Sequence, residues 1–224
     1  GKALQGIIQA DEFYLSASFK GNKSCAKNLG NPVPEGIVPD YEKYGYRDYA
    51  HSRGRSGNKR GLSKDKICYA TALDESRSVI GMPVCAGAVS AAGLDLAFGG
   101  RFDPAAVLVT DASTGGAKFA ADNELAHIAL NSKKGDSRTG QYNLQLVNAL
   151  HSVIAEVTQS RRSFSTKHSE LYITWQGWLL MNRQKKIADK VAILKGLSTA
   201  GKKPATVSDI RTRELPEHLH QITN

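Results

Sequence analysis

The sequence predicts a mixed α/β fold that ends in a helical region. Three observations indicate this: segments of β-strand composition dominate the first half of the chain, one strongly apolar strand follows a short helix, and helical periodicity fills the last third. The chain has 224 residues, of which 41% are hydrophobic and 23% charged. These fractions are ordinary for a globular protein and exclude a disordered or fibrous chain.

Five segments in the first 130 residues have the composition of β-strands. β-Branched, aromatic and other apolar residues dominate them, and turn-forming residues separate them. The fourth segment is a continuous apolar run that ends at Asp111, which is typical of a buried strand inside a sheet. We predict strands at residues 6–15, 66–73, 78–85, 106–110 and 125–130.

Helices are predicted between these strands and throughout the C-terminal third. Ser90 is placed to cap a short helix that runs to Ala97, and a second helix is predicted at residues 115–123. A polar, basic loop follows at residues 131–142. Apolar residues then recur at helical spacing in three segments, over residues 146–157, 171–179 and 184–197.

The predicted organisation is one domain over residues 1–183, followed by a C-terminal helix and a polar tail at residues 184–224. Residues 16–65 interrupt the domain, because they are rich in glycine, proline, asparagine, lysine and tyrosine and show no periodicity. Such a segment is typical of a functional loop insertion. Its second half carries four cationic residues among glycines: Arg53, Arg55, Lys59 and Arg60.

The charge of the chain favours a polyanionic partner. Lys and Arg number 30 against 21 Asp and Glu, a formal net charge of +9. Cationic patches gain free energy by releasing counterions from phosphate backbones, so nucleic acid is the expected partner, and a merely basic protein is the alternative.

The number of cysteines and the lengths of the apolar stretches predict the cellular location of the protein. Three widely spaced cysteines without a CxxC pair exclude a zinc ribbon and fit a reducing cytosol, so we expect a cytoplasmic protein. The longest charge-free stretch, residues 78–94, is too short and too broken to span a bilayer, and we expect no membrane partner and no signal peptide.

Two aspartates are the strongest candidates for a chemical role. Asp11 lies in the middle of the first predicted strand, where a carboxylate is costly to bury unless it is paired or binds a metal. Asp111 ends the most apolar strand, and ligands of α/β sheets lie outside the carboxyl ends of strands. The alternatives are a solvent-facing acid on an edge strand for Asp11 and a helix N-cap or turn residue for Asp111. Two carboxylates on neighbouring strands would suit a magnesium site for phosphoryl transfer.

Two further candidates lie near the predicted C-terminal helices. Asn148 shares a helix face with His151 and Ser152, so it either looks into a pocket beside the sheet or is an ordinary polar position. Lys167 follows Ser165–Thr166, which we predict as caps of the tryptophan-containing helix. A cation there opposes the helix dipole unless an anion such as phosphate is bound.

Five short motifs occur in order along the chain. They are Asp11–Tyr14 (DEFY), Lys59–Ser63 (KRGLS), Val107–Asp111 (VLVTD), Val147–Ser152 (VNALHS), and Phe164–His168 (FSTKH) with Tyr172 and Trp175 after it. In this order and spacing they resemble the DDE-type transposases of bacterial insertion sequences, in the branch related to eukaryotic Merlin transposons. The resemblance covers about residues 5 to 183.

The resemblance implies an RNase H-like fold with Asp11, Asp111, Asn148 and Lys167 in the active site. Asp11 and Asp111 would hold two Mg²⁺ or Mn²⁺ ions about 3.5–4 Å apart, and Asn148 would give a neutral oxygen to the second ion. Lys167 would neutralise charge on the scissile phosphate. The cations at residues 53–60 would bind DNA backbone without reading sequence.

The implied partners are transposon ends and target DNA, with a homo-oligomer assembled on the DNA. Two other functions stay open: an RNase H-like nuclease, and a domesticated, inactive transposase that acts as a non-catalytic DNA-binding protein. The family's usual N-terminal zinc-binding and helix-turn-helix region has no counterpart in these residues, and residues 25–49 also differ from the family. Neither difference touches the candidate site residues.

Overall fold

The described part of the chain forms a five-stranded mixed sheet with helices on both faces. The predicted mixed α/β class is therefore confirmed. The predicted insertion lies outside the described residues except for Ser16, and Arg53, Arg55, Lys59 and Arg60 lie outside them as well. The computed structural model describes residues 3–16, 66–76, 78–131, 138–160, 165–199, 208 and 219.

The five predicted strands are all present, with ends that differ from the predictions by at most one residue. They are β1 (Ile7–Ser16), β2 (Lys66–Asp74), β3 (Val79–Ala86), β4 (Val107–Asp111) and β5 (Ala126–Leu130). The strand order is β3-β2-β1-β4-β5. β1, β2 and β3 pair antiparallel, whereas β4 runs parallel to both β1 and β5. Because β1 lies in the middle of the sheet, the edge-strand alternative for Asp11 is wrong.

The helices also follow the sequence pattern. The side chain of Ser90 accepts a hydrogen bond from the Gly93 amide, as predicted for an N-cap, and Ser113 does the same for Gly116 in the next helix. The helices are α1 (Ala91–Phe98), α2 (Thr114–Asp122), α3 (Gln145–Ser160), α4 (Ser169–Met181) and α5 (Ile187–Thr199).

The end of the predicted polar loop contains a short antiparallel ladder that the sequence analysis missed. Strand β6 (Arg138–Thr139) pairs with β7 (Tyr142–Asn143), and Gly140 adopts a φ of 59° in the turn between them. Glycine adopts this left-handed conformation without steric cost, so the turn can be tight. This ladder leads directly into α3.

Side chains that alternate along the strands build one core on each face of the sheet. On one face, Ile8 and Ala10 of β1 pack with apolar residues of α1 and α2; on the other, Ile67 and Tyr69 of β2 pack with apolar residues of α3 and α4. The helical contributors are Leu94, Ala97, Phe98, Phe119 and Ala120 in the first core, and Val147, Leu150, Ile154 and Ile173 in the second.

Glycines let α4 lie close against β3. A Cβ atom on Gly177 would come within 2.6 Å of Val79 Cγ1, and one on Gly81 would overlap Ile173. This close approach sets the position of α4 and of the 3₁₀ turn Thr166–His168 that precedes it. Among the described residues, no helix is long and apolar enough to cross a membrane.

Candidate metal centre

Asp11 and Asp111 lie side by side on neighbouring parallel strands. The β1–β4 ladder pairs Ile7 with Val107 and ends at the pair Gln9 and Val109. Continued in the same register, it brings Asp11 next to Asp111. Their carboxylates and that of Glu12 each offer an oxygen within 4.8 Å of the other two. The two aspartates that the sequence singles out therefore meet in the fold, as predicted for carboxylates on adjacent strands.

Glu12 is a member of this cluster that the sequence analysis did not place there. Neighbouring residues of a strand point to opposite faces, so Asp11 and Glu12 are expected to diverge. However, β4 ends at Asp111 while β1 continues to Ser16, so beyond Asp11 the edge of β1 is no longer covered by β4. At such an uncovered edge, side chains from both faces can reach one position. The signal available in the sequence was the adjacent acidic pair itself.

Asp111 is also a turn residue, which was the alternative considered for it. Its Oδ1 accepts a hydrogen bond from the Ser113 amide at 3.0 Å, and Thr110 Oγ1 donates to its backbone oxygen at 2.7 Å. The side chain is exposed. The turn holds the carboxylate at the end of β4, so the turn contact and membership of the cluster are compatible.

Asp11 is held from two sides. Its Oδ1 accepts a hydrogen bond from the Glu12 amide at 2.9 Å, and its Oδ2 lies 3.7 Å from His151 Nδ1 on α3. Thr71, opposite Asp11 on β2, donates from Oγ1 to the backbone oxygen of Asp11 at 2.8 Å. The side chain of Asp11 is 22% exposed. The carboxylate thus has a fixed orientation at the rim of the sheet.

Burial and the charges of neighbouring carboxylates make Asp11 and Glu12 reluctant to ionise. The pKa of Asp11 is raised to about 6: burial is the largest cause and the charge of Asp111 adds to it, while the hydrogen bond from the Glu12 amide acts in the opposite direction. Burial, together with the charges of Asp11 and Asp111, raises the pKa of Glu12 to about 7. Burial lowers the pKa of His151 to about 4, so its contact with ionised Asp11 is not an ion pair. A cation would relieve the repulsion.

Helix α3 is anchored to β1 close to Asp11. Gln9 is buried, and its Oε1 accepts hydrogen bonds from the amides of Leu146 at 2.8 Å and Val147 at 3.4 Å. These are backbone donors at the start of α3 that have no acceptor within the helix. The anchor places His151, which the sequence analysis noted only as a neighbour of Asn148, against Asp11. Asn148 lies one turn earlier on the helix and is exposed, and its role stays a prediction.

Lys167 lies in a different local structure from the one predicted. Ser165 makes no side-chain cap hydrogen bond, and Thr166 to His168 form a 3₁₀ turn before α4 begins at Ser169, so the predicted caps are wrong. The physical reason is that the Ser169 hydroxyl donates back to the Thr166 oxygen at 2.6 Å, which closes the turn. Lys167 is therefore not in the first turn of α4.

The same turn packs on the face of the sheet that carries Asp11. The Tyr69 hydroxyl hydrogen bonds to the side chains of Ser169 and Thr166, and its ring stacks on Phe13 with centroids 5.0 Å apart. Phe13 is the next residue after Asp11 on that face of β1. Lys167 is half-buried in this turn, and its role also stays a prediction.

The residues present fit a hard divalent cation. Three carboxylates converge, and carboxylate oxygens are the ligands that Mg²⁺ and Mn²⁺ prefer, whereas zinc sites favour sulfur and imidazole. Such a centre can bind the oxygens of a phosphate ester and lower the pKa of a hydroxyl group. Comparison with known protein families and with curated proteins found no match for this chain.

Proposed function

We propose that this chain is the catalytic domain of a DDE-type transposase, which cleaves and joins DNA strands with the help of divalent ions. The observation that carries the proposal is the meeting of Asp11 and Asp111. Motif order selected these two residues from distant parts of the sequence, and their carboxylates share one cluster at neighbouring parallel strands.

The sheet supports the accompanying proposal of an RNase H-like fold. An antiparallel meander of β3, β2 and β1 continues into the parallel strands β4 and β5, with helices on both faces. This strand order is compatible with the RNase H-like arrangement. In that arrangement the candidate site lies at the carboxyl ends of β1 and β4, where ligands of such sheets bind.

In the proposed mechanism, Asp11, Glu12 and Asp111 would hold two Mg²⁺ or Mn²⁺ ions, the number that the family resemblance implies. When bound, these ions activate water for strand cleavage and a 3′-hydroxyl for strand transfer, and they neutralise charge on the phosphate. Asn148 offers a neutral oxygen, and Lys167 binds a phosphate oxygen as a point charge. Glu12 adds a third negative charge to the two aspartates, which brings the protein ligands closer to the +4 of two ions.

The proposed partners are transposon ends and target DNA. The net charge of +9 supports a polyanionic partner. The cations at Arg53, Arg55, Lys59 and Arg60 would contact phosphates. We further propose a homo-oligomer on DNA and a cytoplasmic location, the latter consistent with sparse cysteines.

The test is metal-dependent nicking of supercoiled plasmid DNA. We expect cleavage by the wild type with Mg²⁺ or Mn²⁺, and its loss with Asp11→Asn or Asp111→Asn while the fold and the affinity for DNA are retained. Asp122→Asn is the matched control, because Asp122 is an exposed carboxylate paired with Lys118 on α2. Near wild-type cleavage by either aspartate variant would remove that residue from the site.

Other outcomes separate the alternatives. Salt-dependent DNA binding without any nicking would favour a non-catalytic DNA-binding protein. Cleavage confined to the RNA strand of an RNA–DNA hybrid would favour an RNase H-like nuclease.

A further inference from the structure

The hydrogen bonds of Thr71 determine which nitrogen of His151 carries a proton. Thr71 Oγ1 lies 2.8 Å from the backbone oxygen of Asp11 and 2.7 Å from His151 Nε2. A backbone carbonyl can only accept, so the single hydroxyl proton of Thr71 is donated to Asp11. The hydroxyl must then accept from the ring. Nε2 is therefore the protonated nitrogen of His151.

This assignment leaves Nδ1 of a neutral ring with a bare lone pair. Nδ1 faces Asp11 Oδ2 at 3.7 Å, which is too long for a direct hydrogen bond. Both atoms are acceptors when Asp11 is ionised, so neither can satisfy the other. The Oδ1 atom of Asp11 is engaged by the Glu12 amide. A group that lies beside this pair and donates to both Oδ2 and Nδ1 would satisfy the two acceptors together.

The position of the ring is well determined by its surroundings. Its side chain is 17% exposed, and its centroid lies 4.9 Å from that of Phe13, at an interplanar angle of 48°. The hydrogen bonds of Gln9 fix the start of α3 four to five residues before His151. A charged ring would donate a hydrogen bond from Nδ1 to Asp11, and the 3.7 Å between Nδ1 and Oδ2 is longer than such a bond, which agrees with the neutral form.

We propose that His151 is a positioning residue of the site: Thr71 locks its tautomer, and its bare Nδ1 accepts a hydrogen bond from a water molecule that Asp11 Oδ2 also holds. The role of this water rests on the proposed function, in which it is the nucleophile of strand cleavage. Its oxygen bonds to phosphorus as the bridging P–O bond of the strand breaks, and its proton passes through solvent to the leaving oxygen.

The tautomer can be measured without any substrate. Nitrogen-15 NMR of the imidazole in the metal-free protein distinguishes a protonated from a bare ring nitrogen. We expect Nε2 protonated and Nδ1 bare in the wild type and in Thr71→Ser, which keeps the hydroxyl. In Thr71→Val, which removes the acceptor for Nε2, we expect a mixture of tautomers. A protonated Nδ1 in the wild type, or an unchanged tautomer in Thr71→Val, would overturn the proposal.

The water can be tested by plasmid nicking with two variants of His151. His151→Phe keeps an aromatic ring beside Phe13 but has no acceptor, and we expect it to nick about tenfold more slowly, which corresponds to one hydrogen bond of typical strength. His151→Asn keeps an acceptor near the position of Nδ1, and we expect it to recover most of the rate. Thermal unfolding of each variant reports whether the fold is retained.

The nicking results separate the positioning role of His151 from the proposed function. If His151→Phe is folded and nicks at the wild-type rate while Asp11→Asn is inactive, the positioning role is wrong and the proposed function stands. If the wild type shows no metal-dependent nicking, the proposed function and the role of this water both fail. In that case the tautomer, measured separately, still reports whether Thr71 locks the ring.

Discussion

The side chain of Gln9 on the central strand caps helix α3, because its Oε1 accepts the amide hydrogen of Leu146 at 2.8 Å. Its Nε2 donates to Asn143 Oδ1 at 3.3 Å, just before the helix begins. Gln9 and Asp11 share one face of β1. A single buried amide therefore links the strand that carries Asp11 to the helix that carries His151.

We predict that Gln9→Leu lowers the free energy of unfolding by about 1–3 kcal/mol, because it leaves amide donors at the start of α3 without an acceptor. Gln9→Glu should cost less, since it keeps an acceptor oxygen and places a negative charge at a helix N-terminus. Urea unfolding measures both. The control is Gln141→Leu, at an exposed position before α3. Equal losses in Gln9→Leu and Gln141→Leu would contradict the capping role.

A second prediction concerns the pH dependence of stability without metal. Burial raises the pKa of Asp11 from 3.8 to about 6 and that of Glu12 from 4.5 to about 7. A group whose pKa is higher in the folded than in the unfolded protein stabilises the fold fully at pH values below its pKa in the unfolded protein. This stabilisation is lost as the pH rises through its pKa in the folded protein. These two groups therefore lower the free energy of unfolding between about pH 4 and pH 7. His151, with a lowered pKa of about 4, has the opposite sign below about pH 6.5.

The variant Asp11→Asn with Glu12→Gln isolates the carboxylates from His151. In chelator at about pH 8 we expect it to be more stable than the wild type by roughly 1–3 kcal/mol, and the difference should disappear near pH 4. Millimolar Mg²⁺ or Mn²⁺ should raise the unfolding temperature of the wild type and of Asp122→Asn, but not of the double variant. A wild type that shows no response to either ion would argue against a metal centre at this cluster.

The third prediction tests the close packing of α4 on β3. Gly177→Ala adds a Cβ within 2.6 Å of Val79 Cγ1, so we expect the free energy of unfolding to fall by about 1–3 kcal/mol. Gly196→Ala on α5 is the control, because nothing lies within 4 Å of a Cβ there, and alanine should be neutral or slightly stabilising. Val79→Ala should relieve part of the loss in Gly177→Ala. If Gly177→Ala lowers the free energy of unfolding no more than Gly196→Ala does, α4 can shift away from β3.

The strands and helices could be predicted because their signals are local. β-Branched and aromatic composition, an apolar run that ends at Asp111, and a serine before α1 are each signals that extend over a few residues. The pairing of Asp11 with Asp111 was also within reach, because both were assigned to neighbouring strands of one sheet.

The other contacts of the site depend on tertiary structure. Glu12 joins the cluster at the point where β4 stops and β1 continues, whereas strand alternation alone places it on the opposite face from Asp11. The contacts of Thr71 with Asp11 and His151 join β1, β2 and α3, and no spacing in the sequence encodes them. The predicted caps Ser165–Thr166 failed because the hydroxyl of Ser169 closes a 3₁₀ turn instead.

The last prediction separates the proposed roles of Asn148 and Lys167. An amide oxygen can coordinate a divalent ion but brings no charge, so Asn148→Ala should slow nicking and raise the concentration of Mg²⁺ or Mn²⁺ needed for half-maximal rate. Lys167→Ala should slow nicking without changing that concentration, because a charged lysine has no lone pair to offer a cation. The measurement is a metal titration of the nicking reaction for each variant.

Ser152→Ala is a suitable control, since Ser152 is exposed one turn beyond Asn148 and its hydroxyl donates to the Asn148 backbone oxygen at 2.9 Å. The ion that Asn148 contacts should depend on bound DNA for its remaining ligands, so ion binding and DNA binding should strengthen each other equally. Mn²⁺ affinity measured with and without DNA tests this coupling. If Asn148→Ala keeps both the coupling and the metal dependence of the wild type, Asn148 is an ordinary exposed helix residue and Asp11, Glu12 and Asp111 alone hold the metal.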